Sequence, residues 1–171
     1  MANKIRRYWD SCCCFGYLLN QANRADKCEP ILLDAEVGNC EIVISAWTIA
    51  EVLHKKGDKR PFPKESRELL RKFFNRSCFI VAEVDRVIAE AAQDVFWEHD
   101  ILPKDAVHVA TALVANANYL ETFDGGLLAK SKKLGGDPVL VIQEPGAERL
   151  KAEAKKADKK GQIELPGTLS S

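Results

Sequence analysis

Short apolar runs rich in β-branched residues alternate with longer segments of helical periodicity from one end of the chain to the other. Ile5 to Asp10 (IRRYWD) predicts a strand, and Ser11 offers a hydroxyl where a helix over 12–20 can start. Pro30 to Val37 reads as a short helix stopped by Gly38-Asn39, and Glu41 to Ser45 (EIVIS) as a second strand. Ser45 can cap a helix running to about His54, with Ile49, Val52 and Leu53 as its apolar stripe. Gly57, Pro61 and Pro63 break the next stretch into a loop before helical spacing resumes over 64–74.

Cys78 to Ala82 (CFIVA) predicts a third strand, and Asp85 caps a helix to Glu98. After the break at Leu102-Pro103-Lys104, Asp105 opens a nearly all-apolar helix to about Asn116, which belongs at the centre of the fold. Tyr119 to Thr122 then reads as a strand, Leu127 to Lys133 as a short helix and Val139 to Gln143 as a last strand. This alternation predicts an α/β fold with a parallel central sheet of about five strands. Because several strands are continuous apolar runs, helices are expected on both faces.

The predicted domain spans 1–145, followed by a charged extension over 146–171, partly helical or disordered. With 171 residues, 46% of them hydrophobic, the chain can bury a single core without staples. No apolar stretch is long enough for a membrane span and no signal core precedes Asp10, so a cytoplasmic protein is expected. The six cysteines, three of them consecutive at Cys12, Cys13 and Cys14, carry no CxxC spacing and are expected to be reduced, packed thiols.

Single acids fall at element ends. Asp10 closes the first strand, Glu51 lies in the helix after the second, Asp105 starts the most apolar helix and Asp124 follows the fourth strand. In an open parallel sheet, ligands bind beyond the carboxyl ends of the strands, where these four could meet. Each alone is an ordinary helix cap or surface charge. Converging carboxylates would raise one another's pKa values, a conflict that a divalent cation resolves. An oxygen-only donor set favours Mg²⁺ or Mn²⁺ over zinc.

The local sequences YWDSCCCFGYLL, ISAWTIAEVLHKK, LPKDAVHVATAL and YLETFDGGLL, in this order, resemble the PIN-domain ribonucleases, in particular the VapC-type toxins of toxin–antitoxin pairs. The resemblance covers roughly residues 5 to 143. Cys12 stands where that pattern commonly has a small polar residue. The resemblance implies a metal-dependent endoribonuclease in which Asp10, Glu51, Asp105 and Asp124 are catalytic and hold Mg²⁺ or Mn²⁺. It implies that Ser11 and Thr122 orient those acids or contact phosphate. It further implies an RNA substrate, a small antitoxin protein as partner and a homodimer.

The balance of 25 basic and 25 acidic residues hides two opposed segments. Residues 52–76 carry nine basic and three acidic side chains, and residues 81–105 carry two and seven. Lys55, Lys56, Lys59 and Arg60 directly follow Glu51 and are candidate RNA contacts; a solvated, solubilising face is the other reading. Lys130, Lys132 and Lys133 form a second small cluster. His108, one turn after Asp105, is expected to be a polar core residue or to support the acids, and Trp9, Trp47 and Trp97 to lie in the core or an interface. Two other readings are a PIN-like module that binds RNA or protein without turnover, and a small-phosphoester hydrolase. The latter lacks a phosphate-cradling glycine motif.

Overall fold

The computed structural model describes residues 4–54, 60–130 and 134–152. Strands β1 (Ile5–Trp9), β2 (Cys40–Ser45), β3 (Phe79–Ala82), β4 (Tyr119–Glu121) and β5 (Val141–Gln143) form one all-parallel sheet in the order β3-β2-β1-β4-β5. The expected α/β class and strand number are correct. Between the strands lie α1 (Ser11–Leu18), α2 (Ala25–Glu36), α3 (Ala46–Glu51), α4 (Lys64–Phe74), α5 (Arg86–His99), α6 (Pro103–Val114) and α7 (Gly125–Leu128).

The pleat of the central strands sends alternate side chains to opposite faces. Tyr8, Val43, Leu120 and Ile142 pack with Ile88, Val95, Val109 and Ala110 of α5 and α6. Trp9, Ile42 and Ile44 pack on the other face with Cys13, Cys28, Ile31 and Phe73 from α1, α2 and α4. Two-sided burial explains the apolar run of β2. The edge strand β3 is different: Ile80 and Val81 are partly exposed. All six cysteines are free, and every one except the half-buried Cys12 is buried.

Several element bounds differ from the sequence expectation. Helix α2 starts at Ala25, with Pro30 inside it, because the preceding residues are competent helix formers and bury Cys28. Helix α3 stops at Glu51, where the Leu53 amide turns back to the Glu51 carbonyl at 2.9 Å. Helix α6 begins at Pro103 rather than Asp105, since proline is suited to a first helical position. Strand β5 begins only at Val141, because the Leu140 amide closes a turn onto Gly135 at 2.9 Å. Helix α7 is a single turn ending at Leu128, and residues 131–133, including Lys132 and Lys133, lie outside the described residues. Trp9 is buried as expected, whereas Trp97 is 68% exposed.

Residues 147–152 are helical and tied to the domain. Glu148 pairs with Arg7, Arg149 with Asp34, and Lys27 with Glu144 at 2.5 Å. Residues 153–171 lie outside the described part of the chain. No described helix is long and apolar enough to cross a membrane.

Candidate active site

The strand order reverses beside β1. From β1 the chain moves outward through β2 to β3, then returns to place β4 on the other side of β1. The loops leaving β1 and β4 therefore diverge and open a crevice at the carboxyl edge of the sheet. Asp10 leaves β1 there, and Thr122 to Asp124 leave β4.

Asp10 is the N-cap of α1, accepting the Cys13 amide on Oδ1 at 3.1 Å. Its Oδ2 accepts the Thr122 hydroxyl at 2.5 Å. Thr122 Oγ1 in turn accepts the amide of Asp124 at 2.9 Å, so one buried hydroxyl ties two of the predicted acids together. Asp124 caps α7 through the Leu127 amide at 3.1 Å. Burial pushes the Asp10 carboxyl above its ordinary range, against the pull of His108, Thr122 and Cys13.

Glu51 projects from the end of α3. Its Oε2 lies 2.8 Å from His108 Nε2, and its Oε1 lies 3.2 Å from Lys104 Nζ. Burial acts to raise its pKa, but His108, Ser11 and Lys104 outweigh it and hold the carboxyl down at about 2. The stability that Glu51 contributes is therefore fully present above about pH 4.5 and is lost as pH falls toward 2. In chelator, the urea midpoint of the wild type should fall more steeply between pH 4.5 and 2.5 than that of Glu51→Gln. Parallel curves would refute this assignment.

Asp105 sits in the first turn of α6. Burial raises its pKa, and the neighbouring charge of Asp124 raises it further, with a smaller push from Glu51. His108 and Lys104 work against the rise. The structure thus brings all four predicted acids to one crevice, with Ser11 and Thr122 among them. Arg60 is exposed, while Lys55, Lys56 and Lys59 lie outside the described residues.

Among the described residues, no three His, Cys, Asp or Glu side chains are already closed into a coordination cage. Lys104 is paired with Glu51 instead, and His108 Nε2 is hydrogen-bonded to it. The donor set nevertheless suits a hard cation. It is made of carboxylate oxygens alone, and Asp105 feels the like charges of Asp124 and Glu51 that a cation would relieve.

A family model for the PIN domain matches residues 8–133. The chain belongs to the PIN-domain family. Solved structures with a similar fold include VapBC2 from Rickettsia felis bound to a DNA fragment from their promoter, at 18% identity and TM-score 0.59, covering 82% of this chain and 98% of that one. DNA-bound VapBC from Salmonella typhimurium is similar at 16% identity and TM-score 0.59, with 82% and 98% covered. FitAB bound to a DNA fragment is similar at 15% identity and TM-score 0.55, with 81% and 94% covered. At these identities the likeness is one of fold. No curated protein sequence matches the chain.

Two parts of this PIN domain were not evident from its sequence. Lys104 directly precedes a predicted acid, yet only the meeting of α3 and α6 makes it the partner of Glu51. The second is a buried charge cluster on β1 and β4. Glu121 accepts Arg7 Nη1 at 2.6 Å, Trp9 Nε1 at 2.8 Å and the Gly146 amide at 3.3 Å. Burial opposes the charge on Arg7, but Glu121 and Glu148 hold its guanidinium protonated well above the ordinary range. An acid inside the apolar strand YLE, together with an arginine inside IRRYW, was the available signal.

Proposed function

We propose that this PIN domain is a metal-dependent endoribonuclease and the toxin component of a toxin–antitoxin pair. The observation that supports it best is the gathering of Asp10, Glu51, Asp105 and Asp124 where the sheet reverses its strand order, with Thr122 bonded to both Asp10 and Asp124. Those four carboxylates would hold Mg²⁺ or Mn²⁺, which when bound polarises a phosphodiester and activates water.

The chain's own residues prepare that site. The Cys13 amide and Thr122 hydroxyl fix the rotamer of Asp10, and His108 and Ser11 keep Glu51 ionised. The Lys104 side chain is largely exposed and offers a positive charge to an RNA phosphate at the rim of the crevice. Lys55, Lys56, Lys59 and Arg60 follow Glu51 closely in sequence and are the candidate contacts for an RNA backbone. An apolar groove of about 680 Å³, lined by Ile49, Val52, Leu53, Phe62, Leu70 and Phe74, adjoins the end of α3. It offers an antitoxin an amphipathic-helix seat beside Glu51. The exposed Phe96 and Trp97 of α5 offer an apolar face to a second copy of the chain.

The test is incubation of the purified chain with single-stranded and structured RNA in Mn²⁺ or Mg²⁺, repeated in excess chelator. Discrete RNA fragments should form with metal and vanish with chelator. Cleavage that survives chelation, or RNA binding without cleavage in either metal, would sink the reading. Turnover confined to small phosphate esters would replace it with the hydrolase alternative.

A further inference from the structure

Beneath the crevice, four polar side chains occupy positions at which the core is otherwise apolar. Tyr8, Ser45 and Thr48 are fully buried, and His108 is 2% exposed. The Tyr8 hydroxyl donates to Ser45 Oγ at 2.9 Å and stands 3.3 Å from Thr48 Oγ1 and 2.8 Å from His108 Nδ1. Ser45 and Thr48 form the reciprocal cap that starts α3. The web ends where His108 Nε2 meets Glu51 Oε2 at 2.8 Å.

The members come from different parts of the chain, and each element they occupy leads to an acid. Strand β1 runs from Tyr8 to Asp10, α3 runs from its Ser45 cap to Glu51, and α6 carries both Asp105 and His108. Leucine or phenylalanine at these positions would fill the core without any polar group to satisfy. A buried polar group is costly whenever its partner is missing, so each member of the web depends on the others. What it secures is direction: both ring nitrogens of His108 are engaged, so the ring cannot turn, and one oxygen of Glu51 is fixed by it.

We propose that the Tyr8–His108 pair is a positioning device that orients the Glu51 carboxylate toward the divalent cation; this rests on the metal-dependent reading above. On this reading neither residue would be a ligand of the cation. Partners of this outer kind typically change metal affinity by about 10- to 100-fold when removed.

Mn²⁺ binding to the full chain, followed by electron paramagnetic resonance of the free ion, tests the proposal apart from any activity. Tyr8→Phe and His108→Leu should each weaken Mn²⁺ binding about 10-fold or more. His108→Gln, whose amide can donate from nearly the same place as Nε2, should recover most of the affinity lost in His108→Leu. Trp9→Phe removes a buried donor from the opposite face of the sheet and should lower stability with Mn²⁺ affinity unchanged. If His108→Leu does not fold, Tyr8→Phe decides the matter. Variants that fold and bind Mn²⁺ as the wild type does would overturn this inference alone. Losses of affinity no larger than that of Trp9→Phe would do the same. A wild-type chain that binds no Mn²⁺ overturns the metal reading and this inference with it.

Discussion

Asp105→Asn should abolish RNA cleavage and, in the absence of metal, make the chain harder to unfold. The two effects share one cause. Burial and the charge of Asp124 make the ionised Asp105 costly in the folded protein. A carboxyl whose folded pKa is raised destabilises the fold at pH above that value, and the penalty disappears once both states are protonated, below about pH 4. Asparagine keeps the shape and removes the charge. The variant should therefore gain about 0.5–2 kcal/mol in chelator at neutral pH, with the gain fading as the solution is acidified toward pH 4. Activity should fall by more than about 100-fold, beyond the usual cost of an outer-shell change. Mg²⁺ should raise the urea midpoint of the wild type and leave that of the variant nearly unmoved. Asp10→Asn should lose cleavage as well, but its stability gain is offset because an amide cannot accept both the Cys13 and the Thr122 donors. If Asp105→Asn unfolds at lower urea than the wild type in chelator, the crevice is not electrostatically strained as described.

The second large effect lies away from the crevice. Arg7→Met leaves Glu121 buried among apolar neighbours with its counter-ion gone. Removing one partner of a buried pair costs about 3–5 kcal/mol, because the remaining charge is uncompensated. The double change Arg7→Met with Glu121→Leu should recover a substantial part of that loss, since only the more exposed Glu148, which keeps its bond from Gln143, is then left without its arginine. Urea denaturation of the two variants gives the comparison directly. A single-variant loss below about 1 kcal/mol would mean that Glu121 finds another partner or takes up a proton in the fold.

The acids were legible because Asp10 and Asp124 follow strands, Asp105 lies in the first turn of a helix and Glu51 ends the short helix that leaves β2, and the parallel sheet sends its strand ends to one edge. The apolar run of β2 also gave the two covered faces, although the similar run of β3 lies at an edge with Ile80 and Val81 exposed. Element ends were less legible. Pro30 reads as a helix start but lies within α2, and Val139 extends an apolar run but is excluded from β5 by the turn at Gly135. Contacts across the fold were not legible at all. Nothing local to Tyr8 says that its hydroxyl meets His108, or that Lys104 reaches Glu51 rather than solvent. Such pairings depend on how α3 and α6 cross the same end of the sheet, which spacing along the chain does not encode.

The central place of β1 has a consequence for the order in which the site can form. The hydroxyl that orients Asp10 comes from a residue 112 positions later, and the carboxylate of Glu148 that caps Arg7 comes 141 positions later. Contacts so distant in sequence form late, after the loop-closure entropy of the intervening chain has been overcome. A chain emerging from the ribosome therefore displays Asp10 and Glu51 well before β4 exists to complete the crevice. On the proposed function, synthesis itself delays the hazard: a ribonuclease assembled from its first strand and its fourth cannot cut RNA while the fourth is still being made.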